Sequence, residues 1–254
     1  MLLPAHAGRL RETIDIAKTA TMNHKSAEKI KLNKLVYLLI FLPSLAGLFA
    51  TGYWLMPTFS ATASNKKHET FLPATIQEGD IIFQTSKSSQ SKAIQLATRS
   101  TYSHMGIIYK SKTGFYVYEA GGTVKLTPLQ TWIDSGLNGK YVIKRIKNAA
   151  TLLTPESLSK MKKVGEQFRG KPYDRYFEWS NDRIYCSELV WKIYKEALQL
   201  EIGTLKKLSD FDLSHQEVRT IMNNRYKGKI PYNEIVISPE SMYNANNLIT
   251  VAKN

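Results

Sequence analysis

The 254 residues include a single cysteine, Cys186. No internal disulfide can form, which excludes a disulfide-stapled scaffold. Histidine is sparse as well, at His6, His24, His68, His104 and His215. No His/Cys/Asp cluster has metal-ligand spacing, so neither a metal nor a cofactor is expected. Acidic residues are outnumbered, 21 Asp and Glu against 35 Lys and Arg, for a formal charge of +14. There is no internal repeat and no long low-complexity tract. With 43% apolar residues, the composition excludes a wholly disordered or collagen-like chain.

Residues 35–65 carry no charge at all. Within them Leu35–Phe59 is apolar and long enough to cross a bilayer, for which about 20 residues suffice. Lys25, Lys29, Lys31 and Lys34 precede it, so residues 1–34 are expected on the cytoplasmic side and the rest outside. The run reads as an uncleaved signal anchor, or as a signal peptide cut after Ala61-Thr62-Ala63. Residues 1–21 resemble neither a domain nor a targeting signal, and Met22 would make a more usual start. The remaining +10 lies in residues 66–254, which suits an anionic partner without choosing one. No nucleic-acid motif is present, and export argues against nucleic acid.

The expected organisation is a lead at 1–34, the transmembrane or signal helix at 35–59, a linker at 60–75 and one domain at 76–254. In that domain Ile81–Phe83 reads as a strand, residues 90–99 as a helix, and His104–Tyr109 with Phe115–Ala120 as a hairpin. Lys140–Ile146 alternates as a strand. Thr154-Pro155-Glu156 caps a helix running to about Phe168. A second helix spans Cys186 to Leu198, and Ser238-Pro239-Glu240 opens a short one. Strands and helices mix without βαβ alternation, so the class is α+β. Gly165–Pro172 comes close to a phosphate-binding loop. However, Pro172 replaces the magnesium-holding Ser/Thr and the glycines end a helix, so that reading is rejected.

The chemistry centres on Cys186. A helix start carries unsatisfied N–H groups and a positive dipole end, which stabilise a thiolate. A thiolate nucleophile needs a base, and a base must be held rigidly, which favours His104 on its strand over His215 in a polar helical stretch. With the turn within 110–114, an odd pairing sum brings His104 and Glu119 to one face, either directly opposite (104 with 119) or diagonal (104 with 121). A carboxylate closing the apolar strand Phe115–Ala120 calls for a partner. Cys186, His104 and Glu119 thus form a candidate triad. Gln84, Tyr185 and Tyr173 are candidate site-lining residues, Gln84 as an oxyanion donor. Trp132, Trp179 and Trp191 read as core or rim aromatics.

The blocks EGDIIFQTSKSSQSKAIQLATRSTYSHMGIIY, YVYEAGGTVKLTPLQTWI, GKPYD and YCSELVWKIY resemble the permuted papain-like hydrolases related to NlpC/P60, in particular the YiiX-like group. The resemblance spans roughly residues 76–250. It implies a circularly permuted papain-like fold in which the His and acid strands precede the Cys helix. It also implies that Cys186 is the nucleophile, His104 the base and Glu119 the third polar member. The function expected is a cell-envelope cysteine amidase or peptidase working through a thioester acyl-enzyme. The alternatives are a lipid acyl hydrolase or acyltransferase with the same triad, or a lipid-binding module. The partners expected are a peptidoglycan-derived peptide or a lipid-like amide or ester, with the membrane reached through the N-terminal helix. The location expected is extracytoplasmic, anchored at the inner membrane or secreted after cleavage.

Overall fold

The computed structural model describes residues 75–254. The basic lead, the apolar run at 35–59 and nearly all of the linker lie outside the described residues, and so does the expectation of an anchor. Among the described residues no helix is long and apolar enough to cross a membrane.

The elements run β1 (Ile81–Gln84), α1 (Ser91–Thr98), β2 (His104–Ser111), β3 (Gly114–Gly121), β4 (Thr123–Pro128), α2 (Leu129–Ser135), β5 (Val142–Ile146), α3 (Ala149–Leu152), α4 (Pro155–Glu166), α5 (Cys186–Leu198), β6 (Lys206–Lys207), α6 (Gln216–Tyr226), β7 (Ile235–Val236), α7 (Pro239–Tyr243) and β8 (Leu248–Lys253). Six strands make one antiparallel sheet in the order β4-β3-β2-β1-β5-β8. The α+β expectation holds.

Alternation along the strands divides the core. Ile81, Phe83, Met105, Ile107 and Tyr118 pack with Leu189, Val190, Ile193 and Tyr194 of α5 on one side of the sheet. Ile82, Ile108, Val117 and Ile143 pack with Leu129, Trp132 and Ile133 of α2 on the other. Successive strand side chains face opposite ways, so one sequence run feeds both layers.

The β2–β3 hairpin sets the site. Ser111 pairs with Gly114, leaving Lys112-Thr113 as a two-residue turn, and Ile107 pairs with Tyr118. Continued to the strand ends, this register sets His104 against Gly121 with Glu119 diagonal, the second of the two odd-sum arrangements. Gly106 lets β3 come close beside them. A Cβ there would lie 2.7 Å from the Tyr118 carbonyl oxygen and would also strike the Val117 side chain.

Two buried ion pairs frame the sheet and the α5 helix. Asp80, fully buried at the entry to β1, accepts from Arg145 of β5 through Nε at 2.6 Å and Nη2 at 2.8 Å, and from the Gln77 N–H at 2.9 Å. In the first turn of α5 the buried Glu188 meets Lys192 at 2.7 Å. Burial pushes the Glu188 carboxyl up, against the pull of Lys192, to about 7.

Helix starts follow their caps. Thr154 Oγ1 accepts the Ser157 N–H at 3.2 Å, with Pro155 in the first helical position. Helix α4 ends at Glu166, two residues before the expected Phe168. Strand β5 begins at Val142, not Lys140. Strand β4, helix α2 and strand β8 had no sequence expectation.

Candidate active site

His104 opens β2, and its Nε2 lies 2.6 Å from Glu119 Oε2. The carboxylate takes two further donors. Thr127 Oγ1 donates to Oε1 at 2.5 Å and Trp132 Nε1 donates to Oε2 at 2.9 Å. Trp132 also stacks on the imidazole, with ring centroids 5.6 Å apart and planes 26° from parallel. Burial alone would raise the Glu119 carboxyl. The His104, Thr127 and Trp132 contacts outweigh it and hold the pKa below the ordinary carboxylate value.

Cys186, 3% exposed, begins α5. The first turn of that helix is steadied by Glu188 Oε2, which accepts the Tyr185 N–H at 3.4 Å. Although α5 packs on the sheet face opposite α2, its N-terminus reaches the sheet end where His104 stands. Burial disfavours the imidazolium, but hydrogen bonds to Cys186 and Glu119, and the charges of both, push its pKa up to about 10. Glu119 occupies Nε2, which leaves Nδ1 as the ring nitrogen open to another partner. The stability gained by this pairing is full below the imidazole's ordinary 6.5 and is lost as pH rises through about 10.

The three tentative lining residues reach the site by different routes. Gln84, adjacent to His104 across β1 and β2, borders a cleft of about 840 Å³ that also exposes His104 and Glu119. Its amide nitrogen donates to Ser135 Oγ at 3.3 Å, and its Oε1 is buried without a partner. Tyr173 follows the exit from α4. The Tyr173 N–H donates to the Gly122 carbonyl at 2.8 Å and the Val124 N–H to Lys171 at 2.9 Å, which ties this segment to β4. Tyr173 borders the cleft, and burial together with the nearby Cys186 pushes its phenol well above 10. Tyr185 is buried, and its hydroxyl accepts the Ile237 N–H at 3.1 Å. Its ring lines a separate apolar cavity of about 80 Å³ that also reaches Cys186.

Thr127 and Trp132, as partners of Glu119, were not found from sequence. In the sequence Trp132 reads only as a core or rim aromatic. A buried indole N–H needs an acceptor, and that was the available signal.

A model of the family described as permuted papain-like amidase enzyme, YaeF/YiiX, C92 family, matches residues 75–252. The chain belongs to this family. It is 49% identical over 177 residues to the uncharacterized protein YiiX of Escherichia coli strain K12, covering 70% of this chain and 86% of that one. The crystal structure of metalloprotein yiiX from Escherichia coli O157:H7 superposes with a TM-score of 0.67 at 49% identity, covering 70% of this chain and 97% of that one.

The permuted papain-like fold is thereby shown, as is membership in a family of papain-like amidases. The metal in the crystal structure's description belongs to that protein. Among the described residues of this chain, no three His, Cys, Asp or Glu side chains converge to hold an ion.

Proposed function

We propose that this chain is a cysteine amidase or peptidase of the cell envelope, with Cys186 as nucleophile, His104 as acid and base, and Glu119 as the residue that positions His104. The observation that carries this is the convergence of the only cysteine and a carboxylate on one imidazole. The thiolate attacks the amide carbon, and the carbonyl electrons move onto oxygen. The Cys186 N–H, one of the donors that a helix start leaves free, faces this developing charge. Collapse of the intermediate breaks the C–N bond while the imidazolium gives its proton to the departing amine. Water, deprotonated by the now neutral imidazole, then cleaves the thioester. Gln84 is a second candidate donor to the oxyanion, since it stands beside His104 across β1 and β2 and borders the same cleft. An envelope location rests on the charge-free run at 35–59 behind its lysines, and fits a peptidoglycan-derived peptide as substrate.

The apolar cavity beside Cys186 supports a second reading, an acyl lipid as donor. Its size weighs against a long chain, because about 80 Å³ is roughly half the ~150 Å³ that admits a benzene ring. A short aliphatic side chain fits better. Incubation with muropeptide amides and with phospholipids, followed by intact mass spectrometry, separates the two. A peptidyl adduct on Cys186 supports the amidase, a fatty-acyl adduct the lipid reading, and no adduct from either counts against both.

The role of Glu119 has its own test. Glu119→Gln removes one of the two groups that raise the imidazole pKa. The alkaline limb of Cys186 acetylation by 4-nitrophenyl acetate is expected near pH 10 in the intact chain and nearer neutrality in the variant. The rate is expected to fall about 10- to 100-fold, as loss of an orienting partner does elsewhere. An unmoved limb would remove Glu119 from the mechanism.

A further inference from the structure

The cleft over His104 is lined by Lys87, Lys125, Arg175 and Arg225, and by one acid, Glu119. Four cations to one anion is a stronger bias than the chain's own 35 to 21. The single acid is spent, since its oxygens serve His104, Thr127 and Trp132. Elsewhere in the fold cations meet carboxylates, as at Arg99–Asp212, Arg145–Asp80, Lys162–Glu78 and Lys195–Glu201. Among the described residues the four cleft cations form no such pair.

Their placement is structural. Lys125 stands directly opposite Glu119 in the β3–β4 ladder, so it shares the face that carries the base and its carboxylate. Arg225, on α6, borders both the cleft and the apolar cavity at Cys186. Its Nη2 donates to Gln90 Oε1 at 3.1 Å, Gln90 Nε2 donates to the Tyr173 hydroxyl at 2.9 Å, and the guanidinium lies 5.1 Å from the Phe177 ring. The guanidinium is thus fixed in direction before any ligand arrives, which lowers the ordering cost of binding an oxyanion.

We propose that the substrate carries a carboxylate within a few bonds of the scissile carbonyl, held between Arg225 on the Cys186 side of the cleft and Lys125 on the Glu119 side, with Arg175 and Lys87 drawing it in. A low-dielectric cleft of one sign concentrates counter-ions and selects against like charge. The inference rests on the thiol-hydrolase reading of the same site and adds the charge class of its substrate.

The test uses the full chain, whose one cysteine makes alkylation unambiguous. Second-order rates of Cys186 with iodoacetate and with iodoacetamide are measured at pH 6, and their ratio is divided by the same ratio for N-acetylcysteine. The normalised ratio is expected to be raised about tenfold and to fall as salt is increased to 1 M. Lys125→Met combined with Arg225→Met is expected to lower it at least threefold, while Lys125→Arg keeps it. The salt series uses the intact chain, so it decides the matter even if the double variant is unstable. Fast iodoacetamide labelling with a normalised ratio near one would overturn the carboxylate inference and leave the thiol hydrolase standing. Iodoacetamide labelling no faster than N-acetylcysteine would overturn the hydrolase reading, and this inference with it.

Discussion

Cys186→Ala is expected to abolish acyl transfer, lowering turnover at least about 10⁴-fold, because members of a nucleophile–base unit act together and the loss of one removes nearly the whole effect. The fold is expected to survive. The side chain is small, and replacing a buried thiol by a methyl costs on the order of 1 kcal/mol. None of the hydrogen bonds that organise Glu119 passes through the sulfur, since His104, Thr127 and Trp132 meet the carboxylate directly. The checks are the burst of 4-nitrophenol from 4-nitrophenyl acetate, expected to vanish, and the thermal transition, expected to shift by only a few degrees. A variant that fails to fold would recast Cys186 as a packing residue.

Arg145→Met is expected to cause the largest loss of stability, about 3–5 kcal/mol, because it strands a buried carboxylate. Asp80 is fully buried, and Arg145 supplies two of the donors that satisfy it, at 2.6 and 2.8 Å. The Gln77 N–H would remain as its neighbour. Urea denaturation of the intact chain and the variant gives the difference. The double variant Arg145→Met with Asp80→Asn is expected to recover a large part of it, since the stranded charge is then gone. A loss below about 1 kcal/mol in the single variant would mean that water reaches Asp80.

The parts of the fold legible in the sequence were those specified locally. Thr154 and Pro155 mark the start of α4 by cap and ring geometry. The apolar spacing from Leu189 to Tyr194 marks α5, whose bounds match the expected Cys186–Leu198. The His104–Glu119 relation followed from the pairing arithmetic of a short hairpin. The structure selects the diagonal register because the two-residue turn falls at Lys112-Thr113, one position later than direct pairing would require. What escaped was specified by tertiary context. The β4 segment TVKLTP is largely exposed and lacks a clean alternation, and α2 starts directly after Pro128 with no side-chain cap. Both of the residues that steady Glu119, Thr127 and Trp132, lie in that stretch. Arg225 sits on α6, a mostly polar helix whose pattern does not say which cavity it will border.

The base and its carboxylate belong to one hairpin with a two-residue turn, whereas the sulfur arrives on a helix that begins 65 positions later than Glu119's own strand end at Gly121. Evolution is therefore free to shuffle these two cassettes. As long as the hairpin stays intact and the helix docks at the sheet's end, the gene can spell either one first and still bring the cysteine to the imidazole.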